Sequence, residues 1–466
     1  MRPLTLALVS SFALLAACGS GGSSAPAGGG GGGGGGGDGD GSGGGGSPPP
    51  ASYVIAGSIS GLKGSAVLAN GADTVSVTGN GDFAFPAPVT EGGEYDAQVQ
   101  SQQFAAQTCL VANGSGVAMA DVDDIAFNCL PHNVPKYAYV ANYNDGSLSQ
   151  YAIGADGSLT SVAGGTVSVE DAPNSVVVHP GGKYVYVTNG FSNSISQFSI
   201  GADGALAALE PAHVVTGNGP SSFAISPSGR HAYVSNFNDD TVSQFQIGAD
   251  GKLVPMSVAS VSTGAGPQAI RLDPEGRYAY VVDSKDEART VSQYTIGADG
   301  ALTAMPEAPA GTGFDPRFMA VDPLGEFVYV TNLADNTVSQ YAIGESGALS
   351  LLPGATVATG AEPGEIAIDP EGKFAYVANR ADDTVSQYMI QADGSLVPNS
   401  PATVATGSGP SSITVTPDGR FAYVTSQNDG TATRYEINVD GTLEPGGPIS
   451  PAGSNAYSIS IASDYQ

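Results

Sequence analysis

The chain has 466 residues, which include 67 glycines, 31 prolines, three cysteines and no tryptophan. Its 44 acidic and 15 basic residues give a formal charge of −29, which argues against nucleic acid and anionic membrane surfaces as partners, because both are bound through Lys and Arg. A hydrophobic fraction of 41% is enough to build folded cores, and the length predicts two or three domains.

The start of the chain is typical of an exported lipoprotein. Arg2 supplies a positive charge, and the apolar run over residues 4–15 is too short to span a bilayer, so residues 1–18 are predicted to be a signal peptide. Residues 15–18 resemble the bacterial lipobox, which is cleaved just before a cysteine that receives lipid. The resemblance implies that Cys18 carries a lipid anchor such as palmitate; the alternative is an ordinary signal peptide with a chance cysteine.

Gly19 and the residues after it extend this prediction. In lipoproteins an Asp after the cysteine favours the inner membrane, so Gly19 favours the outer membrane of a Gram-negative source, facing the periplasm or the surface. Residues 19–50 are almost entirely Gly, Ser and Pro, which predicts a flexible linker with a reach of roughly 30 Å. The glycine run lacks the ending and the flanking elements of a phosphate-binding loop.

Residues 51–134 are predicted to form a small β-sandwich. Short alternating apolar runs are separated by turn signals, and the segment resembles small immunoglobulin-like modules of secreted bacterial proteins. With Cys18 assigned to lipid, Cys109 and Cys129 remain as an even pair in an exported chain, which predicts a disulfide that contributes about 3 kcal/mol. Two free thiols are the alternative.

Residues 135–466 contain a repeat. Seven copies of a strand phrase with a central tyrosine recur at steps of 47, 47, 47, 49, 47 and 47 residues. The tyrosines are Tyr139, Tyr186, Tyr233, Tyr280, Tyr329, Tyr376 and Tyr423. Each unit holds four strand signals, so the sequence predicts an all-β protein with a seven-bladed β-propeller. The first copy lacks a preceding strand, and residues 458–461 supply one that would close the ring.

The repeat also carries a family resemblance. Residues 186–189 and 329–332 read Tyr-Val-Thr-Asn, and the region from 135 to 466 resembles YVTN-type propeller repeats and the propeller lactonase family that includes 6-phosphogluconolactonase-like proteins. The resemblance implies a seven-bladed fold and hydrolysis of a lactone. Arg317 matches the arginine of a Gly-Pro-Arg-His phrase found in that family, with Phe318 at the histidine position.

Candidate site residues follow from propeller geometry. Residues just past the repeated proline are expected to ring the mouth of the central channel. They are Asn174, Ser221, Gln268, Arg317, Gly364 and Ser411. Arg317 is the charged member and could bind a carboxylate or phosphate with two hydrogen bonds, while Glu365 follows one position later in the next blade. A surface ion pair of Arg317 with Asp315 or Glu365 is the alternative.

Arg271 stands in an inner-strand column of otherwise small residues. A long cation there must reach into the channel or find a buried partner, because an unpaired buried charge is costly. By contrast, the Asn that follows five of the seven Tyr-Val phrases is predicted to be scaffold that hydrogen-bonds local backbone.

Two functions are compatible with these patterns. The first is a membrane-anchored lipoprotein whose propeller binds a small anionic ligand or a protein partner. The alternative is a lactonase-like hydrolase that acts on an anionic sugar lactone. No cofactor or metal ion is expected, since the four histidines assemble neither a Ser-His-Asp arrangement nor a metal cluster.

Overall fold

The computed structural model describes residues 51–60, 62, 65–102, 107–131, 134–285 and 289–464, which form 39 β-strands. The predicted signal peptide, Cys18 and the 19–50 linker lie outside these residues. Across the described ranges, no helix is long and apolar enough to cross a membrane. The all-β class is confirmed.

The N-terminal segment contains ten strands in two four-stranded sheets and one short pair. The strands are β1 (Ser52–Tyr53), β2 (Ile55–Ser60), β3 (Ala66–Asn70), β4 (Asp73–Val77), β5 (Gly81–Ala84), β6 (Val89–Thr90), β7 (Glu94–Gln102), β8 (Gln107–Ala112), β9 (Ser115–Val117) and β10 (Val122–Pro131). One sheet has the order β5-β2-β10-β8, the other β4-β3-β7-β9, and β1 pairs with β6. Alternating residues of both sheets, such as Ile55, Leu68 and Phe127, bury into a single core. The immunoglobulin-like assignment stays a prediction; the pair β2–β10 is parallel.

The backbone register bears on the predicted disulfide. Strands β8 and β10 are antiparallel, and Cys109 lies directly opposite Cys129. Neighbouring strands bring opposed residues within the span that a disulfide can bridge, so this register is compatible with the bond, which remains a prediction.

The remaining strands form seven blades of antiparallel strands. The first blade combines β11 (Val134–Asn142), β12 (Ser147–Ile153) and β13 (Leu159–Ser168) with β39 (Ala456–Asp464). The second has β14 (Pro173–Val178), β15 (Tyr184–Asn189), β16 (Ser194–Ile200) and β17 (Leu206–Val215), and the third β18 (Pro220–Ile225), β19 (His231–Asn236), β20 (Thr241–Ile247) and β21 (Leu253–Ser262). The fourth has β22 (Pro267–Leu272), β23 (Tyr278–Asp283), β24 (Thr290–Ile296), β25 (Leu302–Ala304) and β26 (Ala310–Gly311). The fifth has β27 (Pro316–Val321), β28 (Phe327–Asn332), β29 (Thr337–Ile343) and β30 (Leu349–Ala358), and the sixth β31 (Pro363–Ile368), β32 (Phe374–Asn379), β33 (Thr384–Ile390) and β34 (Leu396–Ala405). The seventh has β35 (Pro410–Val415), β36 (Phe421–Ser426), β37 (Thr431–Ile437) and β38 (Leu443–Pro451).

The ring closes as the sequence predicts. Strand β39, from the C-terminus, pairs antiparallel with β11, and Tyr139 lies opposite Ser460. The first blade is therefore assembled from both ends of the repeat region, with β39 in the innermost position. This pairing gives β11 a second neighbour and removes an open sheet edge.

The repeated tyrosines join neighbouring blades. Each hydroxyl donates a hydrogen bond of 2.6–2.9 Å to a glycine carbonyl in the hairpin of the next blade. The last of these bonds runs from Tyr423 to Gly157 and crosses the closure. Burial raises the pKa of all seven hydroxyls, which therefore remain donors. We refer to these blade-to-blade contacts as the seams.

The repeated asparagines bind hydroxyl groups through Nδ2, and Asn332 Oδ1 also accepts the backbone N–H of Gly313 at 3.1 Å. Asn189 Nδ2, for example, donates to the hydroxyls of Ser194 and Ser196 at 3.0 and 2.9 Å. The prediction of a scaffold role is consistent with this buried position; most partners are hydroxyls, and a predicted backbone partner occurs at Asn332. The next strand presents two hydroxyls directly opposite the buried amide, which a turn-based argument cannot anticipate. In the fourth blade, Asp283 takes this place.

Candidate ligand site at the channel mouth

The inner strands position the candidate site. Each begins at one edge of the propeller, where the second strand of the same blade ends, as in the pair Pro173 and Asn189. We call this edge the mouth. The residue after the first position of each inner strand lies here, and in the first blade that residue is Tyr457 on β39.

A small polar pocket of about 70 Å³ occupies the mouth. Its lining comes from the inner strands of all seven blades and is rich in hydroxyl and amide groups. The lining residues are Asn174, Ser175, Ser221, Ser222, Gln268, Ala269, Arg271, Phe318, Glu365, Ser412, Tyr457 and Ser458. Three of the predicted site residues, Arg271, Glu365 and Gln268, therefore lie together. At about 30 Å³ per water molecule, the pocket has room for roughly two waters and is too small to enclose a six-membered ring.

An ion pair crosses the channel below the pocket. Arg271 Nη2 lies 3.2 Å from Glu365 Oε1, although the two residues belong to the fourth and sixth blades. Arg271 Nη1 also donates to the Ser222 hydroxyl at 3.2 Å and to the Ile270 carbonyl at 2.9 Å. Ser412 donates to the other Glu365 oxygen. Of the two outcomes predicted for Arg271, reaching into the channel or finding a buried partner, the structure shows a partner, Glu365.

Burial governs the protonation of Glu365. Desolvation raises the pKa of its carboxyl group above the ordinary glutamate value, and the opposing effects of Arg271 and the Ser412 hydroxyl do not cancel it. A carboxylate with a raised pKa is a stronger base than a solvated one.

A second cavity of about 380 Å³ lies on the other side of the ion pair. Arg271 and Glu365 line both cavities, together with Ser175 and Ser458. The ion pair thus forms the floor of the mouth pocket.

Arg317 lies beside this pocket and is already paired. Its Nε lies 2.8 Å from Asp315 Oδ1, and its Nη2 donates to Asp315 Oδ2 at 3.1 Å. Phe318, one residue on, lines the pocket in its stead. Arg317 therefore forms the local ion pair with Asp315 that was one of the predicted alternatives. Glu365, the other predicted partner, pairs with Arg271 instead.

Aromatic side chains border the mouth on the first and second blades. Tyr143 stacks on Tyr457 with ring centroids 5.5 Å apart, and the exposed Phe191 meets the edge of Tyr143 at 6.0 Å. Burial raises the pKa of Tyr457, while Arg317 and Arg380 lie near enough to lower it in part. No ion pair of Arg380 is found among the described residues, so Arg380 is the available cation here.

Sequence reasoning missed Tyr457, Arg380 and four of the five pocket serines, whereas Ser221 was among the residues predicted to ring the mouth. Tyr457 would have emerged from aligning β39 with the other inner strands, because it then falls in the same column as Gln268. Ser222 and Ser412 share an inner-strand column with Ser175 and Ser458, so they carry no distinguishing signal. Within the described part of the chain, no group of three or more His, Cys, Asp or Glu could hold a metal ion.

The fold and the matched region together define the family. The model of the "Lactonase, 7-bladed beta-propeller" family matches residues 128–354 and 264–448. These matches cover well over half of the chain, so the chain belongs to the seven-bladed propeller lactonase family. Among proteins of curated function, none matches this chain significantly.

Solved structures share the fold at low identity. A candidate 6-phosphogluconolactonase of Bacteroides uniformis is 19% identical, with a TM-score of 0.62, and the match covers 70% of this chain and 99% of that one. A periplasmic gluconolactonase of Pseudomonas aeruginosa is 21% identical, with a TM-score of 0.61 and the same coverage. The hydrazine synthase of Kuenenia stuttgartiensis is also 21% identical, with a TM-score of 0.53, over 65% of this chain and 92% of that one. Because such different proteins share it, the fold alone does not define the reaction.

Proposed function

We propose that this protein hydrolyses a small anionic sugar lactone at the channel mouth. The observation that carries the proposal is the convergence of Arg271 and Glu365 at the floor of a hydroxyl-lined pocket in a member of the lactonase family. The names of the Bacteroides and Pseudomonas neighbours support the same substrate class.

In this proposal the rim binds the substrate, and the pocket holds the water that attacks it. The sugar ring rests on the aromatic side chains of Tyr143 and Tyr457, and its anionic group faces Arg380. Water in the pocket below contacts Glu365, the general base. Arg271 and the Ser412 hydroxyl hold the carboxylate in place through its two oxygens.

The proposed hydrolysis consumes only the lactone and one water molecule. Glu365 removes a proton from water as the oxygen adds to the lactone carbonyl. The ring C–O bond then breaks, and the proton passes from Glu365 to the departing ring oxygen. The product is the open hydroxy acid, and the carboxylate is regenerated.

Kinetics with glucono-1,5-lactone and 6-phosphogluconolactone test the proposal on the full chain. Glu365→Gln should lower kcat by about 100-fold or more, because it removes the base. Glu371→Gln, on a turn at the opposite edge, is the matched control and should leave kcat unchanged. The acid limb of the pH profile should lie above the ordinary glutamate pKa, because the base must be ionised. Equal activity of Glu365→Gln and the native chain would refute the role of Glu365.

A non-catalytic binding module is the second candidate. The pocket of about 70 Å³ is too small for a sugar ring, Phe318 occupies the family's histidine position, and Arg317 is engaged by Asp315. These features favour a rim that binds an anionic ligand or a protein partner without turnover. Saturable binding of gluconate, without hydrolysis of either lactone, would favour this candidate over the hydrolase.

We further propose that the protein is an outer-membrane lipoprotein anchored through Cys18 and carries a Cys109–Cys129 disulfide. The lipobox-like sequence and the 19–50 linker support the anchor, and the opposed register of β8 and β10 supports the disulfide. Palmitate labelling that Cys18→Ser fails to abolish would contradict the anchor. Two titratable thiols in the unreduced, denatured chain would contradict the disulfide.

A further inference from the structure

A second group of cations lies at the opposite edge of the propeller. There each inner strand ends and turns into the second strand through a five-residue phrase with Pro second and Gly fourth. The phrases cover residues 179–183, 226–230, 273–277, 322–326, 369–373 and 416–420. Those of the fourth to seventh blades each contain at least one Asp or Glu, whereas those of the second and third blades contain none. These two acid-free turns are neighbours, and both end in a cation.

In the turns of the fourth and sixth blades, an acidic residue pairs with the cation. Asp273 Oδ1 accepts the backbone N–H groups of Arg277 and Tyr278 at 2.6 and 2.7 Å, and Asp273 Oδ2 lies 3.3 Å from Arg277 Nε. Lys373 Nζ lies 2.6 Å from Glu371. In these two turns, acidic side chains thus supply both the turn geometry and the charge balance.

The acid-free turns keep the geometry with neutral groups. His179 Nδ1 accepts the Gly181 N–H at 2.9 Å, so its hydrogen resides on Nε2, which donates to the Gly229 carbonyl at 2.9 Å. His179 is therefore a neutral link between the two turns. In the third blade, the Ser226 hydroxyl accepts the N–H groups of Arg230 and His231 at 3.2 and 3.0 Å.

Because these two turns lack acidic residues, a cationic groove of about 600 Å³ lies between the second and third blades. Lys183 and Arg230 line it, and neither forms an ion pair with any described residue. The nearby hairpin carboxylate, Asp250, is held by Lys252 at 3.1 Å. The ring of His231 packs over Gly300 of the next blade and is turned to that contact.

We propose that this groove binds a phosphoryl group, presented either by a small phosphate ester or by a lipid headgroup. Two cations from separate turns suit a dianion, and the Arg230 guanidinium can engage two phosphate oxygens at once. The groove leaves room for an organic substituent. Because the chain as a whole carries a charge of −29, long-range repulsion disfavours extended polyanions and leaves a single phosphoryl group as the ligand. This site is independent of the proposed lactone site, which lies at the mouth.

Calorimetric titration of the full chain tests the site at low salt. Inorganic phosphate and glycerol 3-phosphate should each bind saturably with one equivalent per chain. The double variant Lys183→Gln/Arg230→Gln should weaken binding at least tenfold. The variant His179→Asp/Ser226→Asp should weaken it as much while keeping both cations, because it restores the carboxylates of the other turns. Lys373→Gln/Arg420→Gln, in the corresponding turns of the sixth and seventh blades, is the matched control.

A vesicle arm distinguishes the two sources of phosphate. Cosedimentation with phosphatidic acid vesicles that inorganic phosphate displaces, and that His179→Asp/Ser226→Asp abolishes, would identify a lipid headgroup. Calorimetric binding without cosedimentation would identify a small phosphate ester. Absence of saturable binding to both, or equal weakening by the control variant, would overturn the proposal. Thermal melts of each variant verify folding, which the natural Asp of the other blades favours.

Discussion

The seams and the central channel are built from the same strands but differ in how far they repeat. Every seam has a buried tyrosine that donates to a glycine carbonyl of the next blade, and this bond is present seven times. In the channel, by contrast, Arg271 and Glu365 each occur once in columns of mostly small residues. Repetition therefore marks the residues that hold the ring together, and departures from it mark the residues available for chemistry.

The largest expected effect comes from opening the ring. Ending the chain at Ser454 removes β39, so that β11 loses its inner partner and the apolar side chains Ile459 and Ala456 leave the core. We expect a loss of more than about 5 kcal/mol, comparable with the whole stability of many domains. Calorimetry and gel filtration should show lost cooperative melting and aggregation.

Removal of residues 465–466 alone is the control for this truncation and should change neither measurement. A truncated chain that melts within a few degrees of the native protein would show that the seams hold without closure. The repeated seam contacts would then stabilise neighbouring blades without depending on a closed ring.

The next largest effect is expected at Asp283, which stands at a position where most blades have Asn. Asp283 replaces the recurrent Asn, and burial raises the pKa of its carboxyl group from 3.8 to about 7. The hydroxyls of Ser292 and Thr290 lie 2.6 and 3.3 Å from its Oδ2. The folded state therefore binds a proton more tightly than the unfolded state does. This contribution is fully present below about pH 4 and is lost as the pH rises towards 7.

Asp283→Asn should abolish this loss of stability. An amide can donate to both hydroxyls, as Asn189 does, and it remains uncharged at every pH. A shift of roughly three pH units corresponds to about 4 kcal/mol, so the variant should exceed the native chain by up to that amount at pH 8 and by little at pH 4. Denaturant unfolding at the two pH values measures the difference. The same gain at both would contradict the assigned protonation.

The repeated features of the seams could be predicted from the sequence more fully than the unrepeated features of the channel. The blade count was predictable because strands adjacent in the chain pair with each other and each repeat contains the same four strands. The closure by residues 458–461 was predictable because the first repeat lacks a strand that the C-terminus supplies. Asp315 as the partner of Arg317 was also among the predicted alternatives, since the two residues are only two positions apart. Local and repeated features are accessible to sequence reasoning.

The channel was less predictable for a geometric reason. Arg271 and Glu365 are separated by 94 residues and a whole intervening blade, so their contact depends on the radius of the ring and on side-chain conformation. Tyr457 was hidden because its blade is assembled from both termini. The acid-free turns, however, could have been found by aligning the six phrases and comparing their charges.

The smallest effect comes from removing one repeated contact. Tyr280 is fully buried, and its hydroxyl donates to the Gly347 carbonyl at 2.7 Å. Tyr280→Phe keeps the ring but leaves that carbonyl without its donor, which should cost about 1–3 kcal/mol. Tyr53→Phe, in the N-terminal sheets and away from any seam, is the control and should cost much less. Chemical denaturation measures both, and the same comparison at Tyr186 or Tyr376 should give a similar loss. If the cost instead varied widely from seam to seam, or matched the control, the sevenfold hydrogen bond would not be what holds neighbouring blades together.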